Sequence, residues 1–288
     1  MTVVFLVEIA VPVTLVIVMA TMGVNLVVAE LYCVLRRSPQ WLFISVLQFA
    51  LLVPCAIVVV KILDVEPVIA MTLLAIAAAP GGTFSNIFTF LARGSLELSI
   101  VLTTASTVLS TFLSPFLFLL VVQALRIENG VAGMKLVAVA RDLAIFVLFP
   151  VIVGTLISGY APSLAEMIRR VSTVVASLAI LCLIFLSAIV SAPLLPEALP
   201  AMFVAGGMLT GLSFGIGVIV SRFGTARDRS AITLEFAVRS LPIALILVGG
   251  AEPDVRMVAY LLSYFIANTT VSFLVSLGLR RRSGIVEA

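Results

Sequence analysis

The stretch APGGTFSN, residues 79–86, places helix-breaking residues beside hydroxyl and amide side chains inside a long apolar segment. Proline and paired glycines are unfavourable in a helix interior. A break at membrane depth frees backbone N–H and C=O groups, which must then face protein or a water-filled cavity. Hydroxyl and amide oxygens are hard ligands of the kind that suits Na⁺. The stretch therefore predicts an ion or substrate site to which Thr83, Ser85 and Asn86 contribute oxygens.

A second apolar segment, residues 229–250, is also interrupted, and it carries two charges. Glu235 and Arg239 would each cost at least about 2.5–3.5 kcal/mol within the bilayer unless a partner compensates the charge. Pro242 removes a helix hydrogen bond and disfavours helical geometry at the residue before it, which predicts a break near 238–242. A carboxylate beside Ser, Thr and Asn oxygens would complete a sodium site.

Each of these features also has a purely structural interpretation. Proline kinks are common in membrane helices, and glycines often allow close helix packing. The hydroxyls within residues 99–107 would be satisfied by bonding to their own helix backbone. Arg239 lies four residues after Glu235, which is the helical spacing of an ion pair. Such a pair is compatible with a functional site, so both interpretations of the two charges stay open.

The chain that must position these residues has the composition of a membrane protein. Its 288 residues are 62% hydrophobic and 11% charged, whereas soluble domains have about 25% charged residues. It contains no histidine, which excludes a His-ligated metal and a histidine base. The isolated cysteines Cys33, Cys55 and Cys182 are interpreted as packing residues. The small net charge of +3 argues against nucleic-acid binding.

Nine apolar segments, named S1 to S9, are each long enough to cross the hydrocarbon core, which takes about 20 residues. None alternates like a β-barrel strand, so each is predicted to be helical. The segments are 9–29, 38–60, 67–92, 98–125, 143–165, 171–196, 198–221, about 230–250 and 257–279. The sequence thus predicts an all-α polytopic membrane protein with one transmembrane domain over residues 1–288 and nine transmembrane helices.

The positive charges between the segments predict the orientation. Arginines are more numerous in the loops on one side of this topology, and the positive-inside rule places that side in the cytoplasm. The C-terminus is then cytoplasmic and the N-terminus is outside. The predicted location is a bacterial inner membrane or its equivalent.

The two interrupted segments occupy corresponding places in two halves of the chain. S3 is the second-to-last segment of residues 1–126, and S8 is the second-to-last segment of residues 133–282. Paired interruptions of this kind are typical of inverted repeats, with the binding site where the two broken helices cross. The first repeat would have four helices and the second five.

The run from Pro80 to Pro115, PGGTFSNIFTFLARGSLELSIVLTTASTVLSTFLSP, resembles the bile acid:sodium symporter family. The fourth and fifth helices of that family carry a PGG-x-x-SN break, then L-A-R-G, then a Ser and a Thr four residues apart. S8, with Glu235 before its break, resembles the ninth helix. S2, with Gln48, resembles the third helix, and S9, with Asn268, resembles the tenth. The resemblance covers nearly the whole chain.

The resemblance implies a sodium-coupled symporter for organic anions, with a core domain (S2–S4 and S7–S9) that moves against a panel domain (S1, S5 and S6). It implies a first sodium site formed by Ser85, Asn86, Ser99, Thr103 and Glu235. It implies a second sodium site with Gln48, Glu235 and a glutamine four residues after the glutamate. It also implies a small organic anion bound near the crossing, by Thr83, Asn86, Arg239 and Asn268.

The sequence departs from the family at position 239, where the second-site glutamine is replaced by Arg239. A guanidinium has no lone pair to give to Na⁺ and carries a fixed positive charge. One hypothesis is that Arg239 occupies or repels the second sodium, so that at most one sodium is coupled. A stronger one is that Arg239 pairs with Glu235 and removes the first site too. A third is that Arg239 binds the carboxylate or sulfate of a substrate.

A second departure is that the family usually has ten helices, and this chain begins at the equivalent of the second. The missing helix belongs to the panel domain, and its loss weakens the panel or favours a homodimer. Efflux carriers of the related arsenite type use a cysteine near the break, and the three cysteines here lie elsewhere.

The sequence therefore predicts a secondary active transporter of small organic anions that works by alternating access in the lipid bilayer. It would be coupled to at most one sodium and use no cofactor beyond that ion. The alternatives are a proton-linked, exchange or uniport carrier, and a non-transporting membrane sensor with the same fold. An enzyme is not expected, because neither a Ser–Lys nor a paired-Asp arrangement is found in facing segments.

Overall fold

A computed structural model describes residues 2–25, 40–125, 141–142, 144–249 and 255–286. Within these ranges the chain is helical almost throughout, and one isolated backbone bridge is its only β-type pairing. Several predicted features lie outside the described residues: Cys33, the boundary between the two predicted repeats, and parts of S1, S2, S5 and S8.

Eleven α-helices, numbered in chain order, make up most of the described residues. They are α1 Thr2–Asn25, α2 Gln40–Leu63, α3 Pro67–Ala78, α4 Phe84–Leu91, α5 Leu96–Ala124, α6 Phe149–Tyr160, α7 Pro162–Ser191, α8 Leu195–Val220, α9 Ala226–Ala237, α10 Leu241–Gly249 and α11 Val255–Val286. A π-helical turn, Ala144–Leu148, leads into α6, and a 3₁₀ turn, Ser221–Phe223, follows α8.

Among the described residues, four helices are long and apolar enough to cross a membrane, and a fifth qualifies if α5 is one span despite a bend of 59°. The four are Gln40–Leu63, Val174–Ser191, Leu195–Phe223 and Val255–Arg280. Large apolar side chains such as Phe185 and Phe203 point outward, as expected for side chains that face lipid. The chain is therefore an all-α membrane protein, and the nine-helix topology stays a prediction.

The boundary between S5 and S6 differs from its prediction. The charges of Glu166, Arg169 and Arg170 predict a gap at residues 166–170, whereas α6 ends at Tyr160 and α7 begins at Pro162. Proline favours the first position of a helix and disfavours helical geometry at the residue before it. Arg169 is accommodated inside α7, because its guanidinium donates to the Ser158 hydroxyl at 2.7 Å and to a carbonyl of α1 at 3.1 Å.

Both predicted breaks lie where the sequence places them. S3 is divided into α3 and α4, and S8 is divided into α9 and α10. The two breaks meet as a short antiparallel pairing between Gly81 and Arg239. The N–H of Gly82 donates to the carbonyl of Val238 at 2.9 Å, and the N–H of Ser240 donates to the carbonyl of Pro80 at 3.0 Å. The backbone groups freed by one break are thus satisfied by the other.

The remaining helices pack around this crossing in two groups. Helix α1 packs against α6 and α7, and these three helices form the first group. In the second group, α2 packs with α3 and α5, while α8 packs with α9 and α11. Helices α3 and α10 are largely buried, as are residues 231–237 at the end of α9, so the breaks lie in the interior of the molecule.

The crossing leaves no room for a side chain at Gly82, where a Cβ atom would lie 2.8 Å from the carbonyl oxygen of Arg239. We expect Gly82→Ala to lower the free energy of unfolding by about 1–3 kcal/mol, the usual cost of overpacking a buried site. Gly211→Ala on α8 is the control, because a Cβ there meets no atom within 4 Å. Thermal unfolding of the purified proteins measures both changes, and equal melting temperatures would contradict the close approach.

Candidate functional site

A buried carboxylate lies beside the crossing. Glu235, in the last turn of α9, is 0% exposed. Its Oε2 atom accepts hydrogen bonds from the hydroxyls of Ser85 and Thr103, each at 2.7 Å. Its Oε1 atom accepts one from the hydroxyl of Ser106 at 3.2 Å and lies against Gly81, where any side chain would overlap the carboxylate. Hydroxyl groups from α4 and α5 thus replace water around this charge.

The hydroxyl of Thr103 is surrounded by more oxygens than its one proton can serve. Besides Glu235, it lies 2.9 Å from the carbonyl oxygen of Ser99, 3.3 Å from Oδ1 of Asn86 and 3.3 Å from the hydroxyl of Ser85. Oδ1 of Asn86 also accepts a hydrogen bond from the hydroxyl of Ser99 at 2.7 Å. A concentration of lone pairs with few protons is the electrostatic requirement of a hard cation.

All five residues predicted for the first sodium site therefore lie within one hydrogen-bonded group, and Ser106 belongs to it as well. We call this group the carboxylate cluster: Ser85, Asn86, Ser99, Thr103, Ser106 and Glu235. The sequence analysis interpreted Ser106 as a residue that bonds its own helix backbone. The spacing of residues 99, 103 and 106 could have indicated its place in the cluster, because the three share one face of a helix.

Arg239 does not pair with Glu235, and no ion pair links them in the described part of the chain. Its guanidinium donates instead to Oε1 of Gln48 at 2.9 Å, to the carbonyls of Ile76 and Ala77 at 3.4 and 3.2 Å, and to the carbonyl of Ala79. The helical spacing that favoured the pair does not apply, since Val238 between them is extended.

Apart from Gln48, the acceptors of Arg239 are carbonyls at the C-terminal end of α3. These groups carry the negative end of the helix dipole, where a cation is stabilised. The guanidinium is nearly fully buried, as is Gln48. Nε2 of Gln48 has no hydrogen-bond partner among the described residues. Two residues predicted for a second sodium site thus lie together. Within the described residues, the side-chain hydrogen bonds of Glu235 go to the carboxylate cluster.

Asn268 was predicted to bind substrate, but the structure places it behind the second break. It lies on α11, 3% exposed. Its amide Nδ2 donates to the carbonyl of Ala237 at 3.0 Å, to the hydroxyl of Thr210 at 3.1 Å and to that of Tyr264 at 3.2 Å. The amide therefore caps the end of α9, much as Arg239 caps the end of α3.

A narrow cavity lies between the crossing and the first group of helices. Its polar wall includes Thr83 and Ser240, beside the N-terminal ends of α4 and α10, and it also includes Arg239. Its apolar wall includes Val18 of α1 and Ile180 of α7. Of the four residues predicted to bind substrate, Thr83 and Arg239 line this cavity, whereas Asn86 and Asn268 do not.

Thr103 and Thr107 also line the cavity, and sequence reasoning did not assign either to substrate. Both lie one helical turn apart on α5. Thr103 therefore belongs both to the carboxylate cluster and to the cavity wall, so the two features share one side chain.

Residues 12–197 match the model of the sodium bile acid symporter family, which is more than half of the chain. The chain belongs to this family. Members of the sodium bile acid symporter family are transporters rather than enzymes. The matched part includes Gln48, the first break and the hydroxyls of α5, whereas Glu235 and the second break lie beyond it.

Curated relatives of this family member carry names that refer to sodium. A probable sodium/metabolite cotransporter of the chloroplast from Oryza sativa subsp. japonica is 29% identical over 170 residues, which cover 57% of this chain and 39% of the relative. The ileal sodium/bile acid cotransporter of Oryctolagus cuniculus is 27% identical over 212 residues, covering 72% and 59%. The chain thus spans about two to three fifths of the length of these relatives.

We expect Glu235→Gln to abolish any stabilisation of this symporter-family protein by sodium, because the amide removes the negative charge from the cluster. An ion that binds the folded state at 100 times its Kd adds about 2.7 kcal/mol to stability. The measurement is thermal unfolding in NaCl against equal choline chloride. Glu97→Gln, at an exposed glutamate in the first turn of α5, is the control. Equal sodium shifts in both variants would exclude the cluster as the ion site.

Proposed function

We propose that this protein is a sodium-coupled secondary transporter of small organic anions. The observation that carries the proposal is the carboxylate cluster, in which three helices bring one buried carboxylate together with hydroxyl and amide oxygens. Membership of the sodium bile acid symporter family supports the same function, as do the sodium cotransporters among the relatives.

Sodium binds in the carboxylate cluster, with Ser85, Asn86, Ser99, Thr103 and Glu235 as its ligands. Without an ion, the hydroxyls of Ser85 and Thr103 donate to Glu235. When Na⁺ enters, these hydroxyls turn a lone pair toward the ion and direct their hydrogen bonds to other acceptors. The carbonyl of Ser99, 2.9 Å from the Thr103 hydroxyl, is one acceptor already in place.

The organic anion binds in the cavity beside the crossing. The N-terminal ends of α4 and α10 lie at its wall, and helix N-termini favour negative charge because their first N–H groups are free. Thr83 adds a hydroxyl, and Arg239 is also part of this wall, although its guanidinium is bonded to Gln48 and to the carbonyls at the end of α3. The apolar surface of α1 and α7 on the other side suits a substrate with a hydrocarbon portion.

Thr103 provides the coupling between ion and substrate, since its side chain belongs to both sites. Occupation of the cluster by sodium fixes Thr103 and the start of α4, and so completes the cavity wall. Binding of either partner then favours binding of the other, and this coupling must be reciprocal.

Transport proceeds by alternating access, with the group α1, α6 and α7 as the panel and the other helices as the core. The close packing of α1 on α6 and α7 supports this division. The topology that goes with it has nine transmembrane helices in two inverted repeats, residues 1–126 and 133–282. The N-terminus is outside and the C-terminus is in the cytoplasm of a bacterial cell, and two copies form a homodimer.

The stoichiometry is one sodium per cycle, because Arg239 takes the place of a second ion. Its guanidinium binds Gln48 and the carbonyls at the end of α3, where a free cation would otherwise be stabilised. The guanidinium of Arg239 therefore replaces the second of the two sodium ions. Two alternative functions are tested against this proposal. One is a carrier that does not use sodium, and the other is a sensor that does not transport.

A screen of organic acids by thermal unfolding, run in NaCl and in choline chloride, tests the function. We expect a small carboxylate with an apolar portion to raise the melting temperature, and to do so more in sodium, because the two sites are coupled. Acids that bind are then tested for uptake into proteoliposomes under an inward sodium gradient. Sodium-independent uptake would indicate a different coupling, and binding without flux would indicate a sensor.

Arg239→Gln tests the stoichiometry. We expect the sodium titration of stability to change from a Hill coefficient near one to a value approaching two, which is the limit set by two sites. In choline chloride the variant should be less stable than the wild type, because the carbonyls of α3 have lost the guanidinium. In NaCl its stability should rise again, because a bound sodium ion then satisfies these carbonyls. Arg222→Gln, at an exposed arginine, is the control. A Hill coefficient near two in the wild type would overturn the single-sodium proposal.

A further inference from the structure

The two oxygens of the Glu235 carboxylate have different partners. Oε2 is bonded to Ser85 and Thr103, both of which belong to the proposed ion site. Oε1 is bonded to Ser106 alone among the side chains of the described residues. On its other side Oε1 lies against Gly81, where a Cβ atom would overlap it. Oε1 is therefore held between the first break and α5, away from the oxygens of Asn86 and Ser99.

Ser106 is the one hydroxyl of the carboxylate cluster that the proposed sodium site leaves in place. Ser85 and Thr103 must reorient when they become ligands, whereas the side-chain hydrogen bonds of Ser106 within the described residues go to Glu235 and to the Thr103 carbonyl. Its hydroxyl is completely buried, 3.2 Å from Oε1 and 3.0 Å from the carbonyl of Thr103. Its one hydrogen can point to either acceptor, and the charged carboxylate is the stronger of the two, so Ser106 can keep donating to Oε1 with or without an ion.

We propose that Ser106 is a positioning residue for sodium, which holds Oε1 of Glu235 so that Oε2 faces the ion site. The inference rests on the proposed function. It assigns to Ser106 the task of fixing one carboxylate oxygen, which leaves the other free to coordinate. Without this bond the carboxylate can rotate about its last side-chain torsion, which is broad, and ordering it at ion binding costs free energy.

The chain offers a matched control one helical turn further along α5. Ser110 is also completely buried, and its hydroxyl donates to the carbonyl of Thr107, at 2.6 Å. It thus makes the same kind of contact to its own helix that Ser106 makes to the Thr103 carbonyl, and it has no bond to Glu235. Ser110→Ala reproduces the loss of a buried hydroxyl from this face without touching the carboxylate.

The experiment is a sodium titration of thermal unfolding of the purified protein, with choline chloride added to keep the ionic strength constant. We expect Ser106→Ala to raise the sodium concentration for half-maximal stabilisation about tenfold, the change that follows from losing about 1.4 kcal/mol of hydrogen bonding to a charged group. Ser110→Ala should leave that concentration unchanged. Ser106→Thr, which keeps the hydroxyl, should recover most of the affinity.

Two comparisons separate a positioning role from a merely structural one. A structural defect lowers the melting temperature in choline but leaves the sodium half-saturation of the folded protein unchanged, so this result for Ser106→Ala overturns the inference. The inference is also overturned if the sodium concentration for half-maximal stabilisation is no higher in Ser106→Ala than in Ser110→Ala. Ser106→Cys, which fills the same space with a weak donor, gives the same test if the alanine variant does not fold.

The outcome also distinguishes this inference from the proposed function. If sodium stabilises neither the wild type nor any variant, the sodium site itself is absent and the proposed function fails. If sodium stabilises the wild type and both serine variants with one half-saturation, the sodium site stands and only the role of Ser106 is wrong.

Discussion

Backbone groups that are freed inside an apolar protein need partners, and this requirement organises the centre of the molecule. Each of two helices is interrupted, and each interruption alone would leave several N–H and C=O groups unsatisfied in a region that excludes water. The two extended segments solve the problem together, with paired hydrogen bonds between Pro80 and Ser240 and between Gly82 and Val238. This pairing demands glycine at the crossing, and it brings Glu235 against the first break.

Two helices end beside the crossing, and a side chain caps the carbonyls of each. The ends of α3 and α9 expose carbonyls, which are capped by the guanidinium of Arg239 and the amide of Asn268. The starts of α4 and α10 lie at the cavity wall. Cationic or polar side chains thus cover the negative ends of α3 and α9. The carboxylate of Glu235 stands apart from both, surrounded by hydroxyls of α4 and α5.

Sequence reasoning located both breaks and five members of the carboxylate cluster, because proline, glycine and buried charge leave strong local signals. It misplaced the start of α7, since arginines were taken as a boundary when Pro162 was the actual helix start. It could not determine the partner of Arg239. That partner depends on the extended conformation of Val238 and on the position of the C-terminal end of α3. The capping role of Asn268 likewise depends on the packing of α11 under α9, which spacing along the chain does not encode. Ser106 was within reach, since it continues the face of Ser99 and Thr103.

The proposed replacement of a second sodium by Arg239 would change the energetics of the proposed transport cycle. Under the proposed stoichiometry, one Na⁺ enters with one monovalent anion, and Arg239 returns with the empty carrier. No net charge then crosses the bilayer in a cycle, so the membrane potential, worth about 2.3 kcal/mol per charge at 100 mV, does no work on transport. Accumulation would be limited by the sodium concentration ratio alone. A tethered cation would therefore make the carrier electroneutral, and it would work equally well in a depolarised cell.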